Sequence, residues 1–191
     1  MIPSIAEIKR SLQGTLPFML FKSSGQGNLE VSVESFWKSF FAAVICFPGV
    51  YFFDTLQTPE TASPIDPFAT LLIYTLFYVI SWLVYPVFMH ALLVLHNKEE
   101  NFRLFIIGYN WLQVWQIAFW LCLHTIILSG LLDQQLAEFL GFFGMLYILA
   151  TQTYMTKTII ETNWLSATAF VIFNVILAFS IYEFNNKIIA P

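Results

Sequence analysis

Residues 67–95 read PFATLLIYTLFYVISWLVYPVFMHALLVL and contain no Asp, Glu, Lys or Arg. A helix needs about 20 mostly apolar residues to cross a hydrocarbon core of roughly 30 Å, so this stretch can cross a bilayer even when tilted. Four other apolar stretches are long enough for the same role, at residues 36–53, 104–132, 137–156 and 164–184. The sequence therefore predicts an all-α, polytopic membrane bundle of five transmembrane helices.

The composition of the chain agrees with a membrane protein. Of its 191 residues, 58% are hydrophobic and only 10% are charged, whereas soluble domains are about a quarter charged. A formal net charge of -4 gives no basic field for nucleic acid. The two cysteines, Cys46 and Cys122, lie inside apolar runs and are too few for a disulfide framework or a zinc site. These features argue against a soluble domain and a nucleic-acid partner.

The basic residues predict how the chain is threaded. Seven of the eight Lys and Arg residues precede or open the first span or lie in alternate loops. These seven are Lys9, Arg10, Lys22, Lys38, Lys98, Arg103 and Lys157. Loops rich in Lys and Arg stay in the cytoplasm, which predicts a cytoplasmic N-terminus and an exported C-terminus. We therefore expect a cytoplasmic or interfacial segment at residues 1–35, a transmembrane domain at 36–184 and a short C-terminal tail at 185–191.

An amphipathic helix is predicted within the N-terminal segment. Ser4 and Glu7 have the spacing of a capping box, and the apolar residues Ile5, Ile8 and Leu12 recur at helical spacing. Such a helix can lie in the headgroup region, dock on a partner protein or pack against its own bundle. No cleavable signal peptide is expected, because the segment has no apolar run of sufficient length.

Uncharged polar residues form two stripes at helical period on spans two and three. The stripes comprise Tyr74, Tyr78, Ser81 and Tyr85 on span two, and Asn110, Gln113, Gln116, Trp120 and His124 on span three. If the stripes face each other, they can form a ladder of interhelical hydrogen bonds, each worth about 0.6 to 2 kcal/mol in a membrane. They can instead line a path for a small polar solute or for water. We favour the ladder, because amides and phenols commonly join helices in lipid.

Small residues mark one face of spans four and five. The residues are Gly141, Gly144 and Thr151 on span four, and Ala167, Asn174 and Ala178 on span five. Small side chains let helix backbones approach closely in a membrane. We therefore expect these two spans to pack on each other or on another subunit.

The sequence contains no catalytic or metal-binding signature. It has no Gly-x-Ser-x-Gly elbow and no His-Glu-x-x-His, and no Asp, Glu, Lys or Arg lies at the centre of a span. His90 and His124 are predicted about 20 Å apart in depth, which excludes a shared bis-histidine haem within one subunit. We expect no enzyme activity and no cofactor beyond lipids, although a single-histidine haem or pigment site stays open at either residue.

Two segments resemble small, uncharacterised inner-membrane proteins of alphaproteobacteria. They are SFWKSFFAA at residues 35–43 and GYNWLQ at residues 108–113. This resemblance implies a multi-pass protein of the bacterial inner membrane and supplies no catalytic residue. More distantly, five spans after a cytoplasmic segment are similar to the Yip1 family of membrane-trafficking and membrane-shaping proteins.

The leading functional hypothesis from the sequence is a non-catalytic accessory or scaffold subunit of a larger inner-membrane assembly. Its expected partners are membrane lipids and either other membrane subunits or a second copy of the chain. The alternative is a small channel or carrier for a polar solute, lined by the Tyr and Gln stripes of spans two and three. Binding of haem or a pigment through one histidine is the third hypothesis.

Overall fold

The computed structural model describes residues 2–57 and 66–189. In these ranges the chain forms seven α-helices and two 3₁₀ segments, with no strand. The helices are α1 (Ile5–Met19), α2 (Val33–Ser39), α3 (Phe41–Gln57), α4 (Pro67–Leu95), α5 (Phe102–Leu128), α6 (Gln134–Ile160) and α7 (Trp164–Ile189). The 3₁₀ segments are Ser23–Asn28 and Glu99–Asn101. The predicted all-α class is confirmed.

Five helical segments are long and apolar enough to cross a membrane, as the sequence predicts. The first, Val33–Phe53, is interrupted between α2 and α3, where Ser39 Oγ donates to the carbonyl of Phe36 at 2.7 Å. A side chain that bonds the backbone in this way competes with the regular backbone hydrogen bonds of the helix. The third span stops at Leu128, earlier than expected, because the chain turns at Gly130 with φ +71°.

The C-terminal end also differs from the prediction. Residues 185–189 continue α7 as a helix instead of starting a separate tail. The last two residues of the expected tail lie outside the described part of the chain.

Local sequence signals explain where the spanning helices begin. Asp66 caps α4 by accepting hydrogen bonds from the backbone N–H groups of Phe68 and Ala69, and Pro67 occupies the first turn, where no donor is needed. Asp133 caps α6 in the same way through Leu136 N–H at 2.9 Å. These carboxylates fix the helix starts at the positions that the apolar runs indicate.

Helices α3 to α7 are arranged as a ring. In this ring α5 packs against α3 and α6, and α7 packs against α6 and α4. Between α3 and α4 the Tyr78 hydroxyl donates to the carbonyl of Ala43 at 2.7 Å, and the rings of Phe47 and Tyr78 meet with centroids 5.1 Å apart. The order around the ring is therefore α3, α5, α6, α7, α4.

Fully buried apolar side chains are concentrated at one end of this ring, which we call the basic end because Lys98, Arg103 and Lys157 lie near it. They include Met89 and Leu93 of α4, Phe105 and Ile106 of α5, and Ile159 of α6. Farther from this end, Phe139, Phe142 and many other large apolar side chains face outward. A soluble protein rarely exposes so much apolar surface, so this surface fits contact with lipid.

The N-terminal segment packs against the bundle. The predicted capping box of α1 is present, with Ser4 and Glu7 bonded to each other. Leu12 accepts a hydrogen bond from Trp115 Nε1 of α5 at 3.0 Å, and Phe18 is fully buried. Ile5, expected on the packing face, is 86% exposed instead. Of the three placements that the sequence leaves open, the structure has α1 against its own bundle.

Ion pairs join α1 to the segment that follows it. Lys38 Nζ lies 2.7 Å from Glu7 Oε1 and 2.6 Å from Glu34 Oε1, and Arg10 pairs with Glu30 at 2.9 Å. The hydrogen bond from Lys38, followed by that from the Ser4 backbone, lowers the pKa of Glu7 to about 2. Glu7 is thus held in its charged form where α1 meets α2.

Candidate functional site

A cavity of about 530 Å³ lies on the axis of the ring, and we call it the central cavity. Residues from α3, α4, α5, α6 and α7 all line it. Its volume falls in the range of sites for small molecules. Its polar lining includes Tyr78, Ser81, Tyr85, Tyr109, Gln113, Gln152, Asn174 and Tyr182.

The structure brings part of both predicted stripes to this cavity. Tyr78, Ser81 and Tyr85 of α4 line it, and so does Gln113 of α5. Tyr78 donates to α3 and Ser81 Oγ donates to the carbonyl of Tyr78 at 2.7 Å, so neither hydroxyl bonds to span three as a ladder would require. The Tyr85 ring packs against the Tyr109 ring, with centroids 4.8 Å apart. The cavity therefore separates the two stripes over much of their length.

A hydrogen-bonded group on α5 and α7 forms one wall of the central cavity. Asn174 Nδ2 donates to the Tyr109 hydroxyl at 3.0 Å, and Gln113 also lines the space. The bond fixes the relative orientation of Tyr109 and Asn174. The wall thus presents a phenol and two amides to the cavity.

Two other stripe residues join helices instead of lining the cavity. Asn110 is fully buried and donates to Ser39 Oγ at 2.9 Å, which ties α5 to α2. Gln116 donates to Thr151 Oγ1 and accepts from Gln152 Nε2, each at 3.1 Å, which ties α5 to α6. Both residues bond helices other than α4, so they do not form the ladder between spans two and three that the sequence predicts.

Tyr74 and His124 lie away from the central cavity. The Tyr74 ring meets that of Tyr51 with centroids 5.2 Å apart, between α4 and α3. The His124 ring packs between Phe53 at 4.7 Å and Trp120 at 4.9 Å, and its Nδ1 has no partner among the described residues. His124 is therefore a packing residue near the end of the bundle opposite the basic end.

A second space of about 270 Å³ continues the central cavity away from the basic end, and we call it the outer chamber. The two spaces share lining residues, including Val50, Tyr78 and Tyr182. The outer chamber extends to Tyr74 and to Asn185. Asn185 is only 4% exposed, and its Oδ1 has no hydrogen-bond partner among the described residues.

Neither space has a charged side chain in its described lining. Over residues 2–57 and 66–189 there is also no group of three or more His, Cys, Asp or Glu side chains that could hold a metal ion. The chemistry that the lining offers is hydrogen bonding by phenols and amides, together with packing against apolar walls.

Helices α6 and α7 pack on each other, which is one of the two expected arrangements. The small residues Gly141 and Gly144 of α6, however, face α5 instead of α7. A Cβ at Gly144 would lie 2.3 Å from Leu123 Cδ2 and 3.1 Å from Trp120 Cζ3, so the glycine permits the close approach of α5. At Gly141 the nearest atom is Ile127 Cδ1 of α5, at 4.0 Å.

On α7 the three predicted packing residues have different environments. Ala167 is fully buried at the basic end. Asn174 bonds Tyr109 of α5, and Ala178 lines both spaces. The predicted face of α7 is therefore largely the cavity wall.

The histidines do not converge on one site. His90 is exposed on α4, and its ring meets that of Phe102 with centroids 4.9 Å apart, whereas His124 packs against Phe53 of α3. Haem or pigment binding through one of them stays a prediction.

Four polar residues of the site are not among those predicted from the sequence, namely Tyr109, Gln152, Tyr182 and Asn185. A signal was present for three of them. On α5, Tyr109 lies four residues before Gln113 and Asn110 lies three residues before it. At 100° per residue, Tyr109 is the closer of the two to the face that Gln113 occupies. On α7, Tyr182 and Asn185 follow Asn174 and Ala178 at steps of four, four and three.

No protein-family model, curated protein or solved structure matches this chain. The resemblances to alphaproteobacterial inner-membrane proteins and to the Yip1 family therefore stay predictions, and the function has to be inferred from the geometry of the site.

Proposed function

We propose that this protein binds a small uncharged molecule in the central cavity, as a membrane-embedded binding protein or carrier. The proposal rests on the convergence of polar side chains from four helices on one space, namely Tyr78, Gln113, Gln152 and Asn174. Polar groups are costly inside an apolar bundle unless they find partners. A ligand with hydrogen-bonding groups would use those that line the space.

The lining also favours a neutral ligand over a charged one. A charged ligand would lose its hydration on entry and would meet no opposite charge in the described lining. The proposed ligand is therefore neutral. It would be held by hydrogen bonds to phenols and amides and by contact with apolar residues such as Val50 and Ile117.

The packed core at the basic end supports a site that is closed on that side. Met89 and Phe105 are fully buried there, next to Tyr85 at the end of the cavity. We place the basic end in the cytoplasm of a bacterium, with the chain in the inner membrane, because of the distribution of Lys and Arg and the family resemblance. Access to the cavity would then be from the membrane or from the exported side.

The experiment is a thermal-unfolding assay of the full chain in phosphatidylcholine nanodiscs, with glycerol and 1-dodecanol as uncharged probes. A ligand at 100 times its Kd stabilises the folded state by about 2.7 kcal/mol, which raises Tm by several degrees. We expect at least one probe to raise the Tm of the wild type. The same probe should have little effect on Gln113→Leu, which removes a polar group from the cavity wall.

The matched control is Gln116→Leu, one turn along the same helix. Gln116 bonds Thr151 and Gln152 and does not line the cavity, so this variant should start from a lower Tm and still respond to the probe. An equal response of Gln113→Leu and the wild type, or no response to either probe, would contradict the proposed binding site.

A second candidate is the accessory or scaffold subunit, with another membrane protein or a second copy as partner. The outer surface of α6 favours it. Phe139, Phe142 and Phe143 are all exposed there, and the rings of Phe139 and Phe143 lie with centroids 4.2 Å apart. Purification in a gentle detergent tests this candidate, and a strictly monomeric protein without a partner would count against it.

A further inference from the structure

Asn185 is a buried polar residue whose acceptor is unused. It lies on α7 at the end of the outer chamber, 4% exposed, and its Oδ1 has no partner among the described residues. A side-chain amide oxygen can only accept hydrogen bonds, so the missing partner must be a donor. Neighbouring protein atoms cover this oxygen, so a ligand O–H or N–H group in the outer chamber would reach it once the Asn185 side chain turns toward the chamber that it lines.

The rim of the central cavity lies on the side of the bundle. Phe179 and Tyr182 line the cavity and are also 62% and 42% exposed on the outside of α7. At 1.5 Å per residue they lie about 22 and 27 Å along a helix that is about 39 Å long. In a membrane this rim would face the hydrocarbon region. A molecule that enters there comes from the bilayer.

The walls of the outer chamber suit an apolar body. Val50, Phe77 and Ile181 contribute aliphatic and aromatic surface. The polar atoms of the lining belong to hydroxyl and amide groups, and no described lining residue is charged. A molecule that fits has one or a few neutral polar groups on an otherwise apolar body.

Resting on the proposed binding function, we propose that the ligand is an uncharged, bilayer-borne alcohol. Its hydroxyl donates to Asn185 Oδ1, and its apolar body lies in the outer chamber and the central cavity. This assignment accounts for the unused acceptor, the rim at the side of the bundle and the neutral lining together. It identifies Asn185 as the residue that selects a hydroxyl group.

The test compares 1-dodecanol with dodecyl methyl ether, which has the same oxygen and a similar chain but no donor. Affinities are taken from the concentration dependence of Tm for the full chain in phosphatidylcholine nanodiscs. We expect the wild type to bind the alcohol about tenfold more tightly than the ether, because only the alcohol pairs with the buried acceptor. Asn185→Leu should bring the ratio close to one. Asn186→Leu, the matched control on the same helix, should keep the tenfold ratio.

The outcomes separate this inference from the proposed function. Equal affinities for alcohol and ether in the wild type, or a tenfold ratio kept in Asn185→Leu, would overturn the role of Asn185. Stabilisation by glycerol and not by 1-dodecanol would refute the claim that the ligand comes from the bilayer, and it would leave the proposed binding function intact. No stabilisation by any probe would overturn both.

A second measurement on the wild type covers the case in which Asn185→Leu does not fold. A dodecanol that carries a diazirine is cross-linked to the protein in nanodiscs, and the modified peptides are mapped. Labelling should concentrate on residues that line the outer chamber and the central cavity, and it should decrease at least tenfold with excess 1-dodecanol. Labelling mainly of residues that line neither space, or labelling that excess alcohol does not reduce, would refute the assignment.

Discussion

Replacing Gly144 with alanine should weaken the packing of α6 on α5. The added Cβ would lie 2.3 Å from Leu123 Cδ2 and 3.1 Å from Trp120 Cζ3, against an ordinary contact distance of 3.4–4 Å. Leu123 has to move by more than 1 Å, and overpacking of this kind costs about 1–3 kcal/mol. Alanine regains up to about 1 kcal/mol through its better helix propensity. With the full propensity gain, the net expectation is a loss of about 0–2 kcal/mol.

Gly141 provides the matched control, since it lies one turn away on the same helix. A Cβ there meets only Ile127 Cδ1, at 4.0 Å, so Gly141→Ala should be neutral or stabilising by up to about 1 kcal/mol. The free energy of unfolding is measured in mixed micelles by the change in tryptophan fluorescence. If Gly144→Ala is as stable as Gly141→Ala, the close approach of α5 and α6 at Gly144 is refuted.

Two further predictions concern contacts outside the cavity. Because the pKa of Glu7 falls from its usual 4.5 to about 2 on folding, its stabilising effect should be complete above pH 4.5 and lost as the pH falls towards 2. Hydrogen exchange of α1 should show this loss in the wild type, and an equally steep loss in Glu7→Gln would contradict it. Ser39→Ala leaves Asn110 Nδ2 unpaired and should cost about 1–3 kcal/mol in the free energy of unfolding. The double variant Ser39→Ala/Asn110→Leu should regain most of this loss, and a double variant that is no more stable than the single one would argue against the bond.

Individual helices can be predicted from the sequence because their determinants are local. Asp66 and Pro67 mark the start of α4, Ser4 and Glu7 mark the start of α1, and the apolar runs match the spans to within a few residues. The break at Phe40 is missed, because Ser39, which donates to the carbonyl of Phe36 at the break, also accepts a hydrogen bond from Asn110, 71 positions away. Local patterns do not contain such pairs.

The candidate site could be predicted only in part, because a shift of one residue turns a helical side chain by about 100°. Tyr109 and Asn110 are neighbours with similar polarity, yet Tyr109 lines the central cavity and Asn110 faces α2. The step of four to Gln113 favours Tyr109 for the face that Gln113 occupies, but the sequence does not show that this face lines a cavity while Asn110 faces another helix. The choice depends on which helices lie on either side of α5.

The sequence by itself determines that the chain is helical and has five segments long and apolar enough to cross a membrane. It does so because each helix satisfies its backbone hydrogen bonds internally, whatever its neighbours are. Only the tertiary structure decides which helices are adjacent, that Gly144 contacts α5, and that polar residues from four helices meet at one cavity. Those arrangements depend on side chains that interlock between distant parts of the chain, as when Tyr147 donates to the carbonyl of Met19.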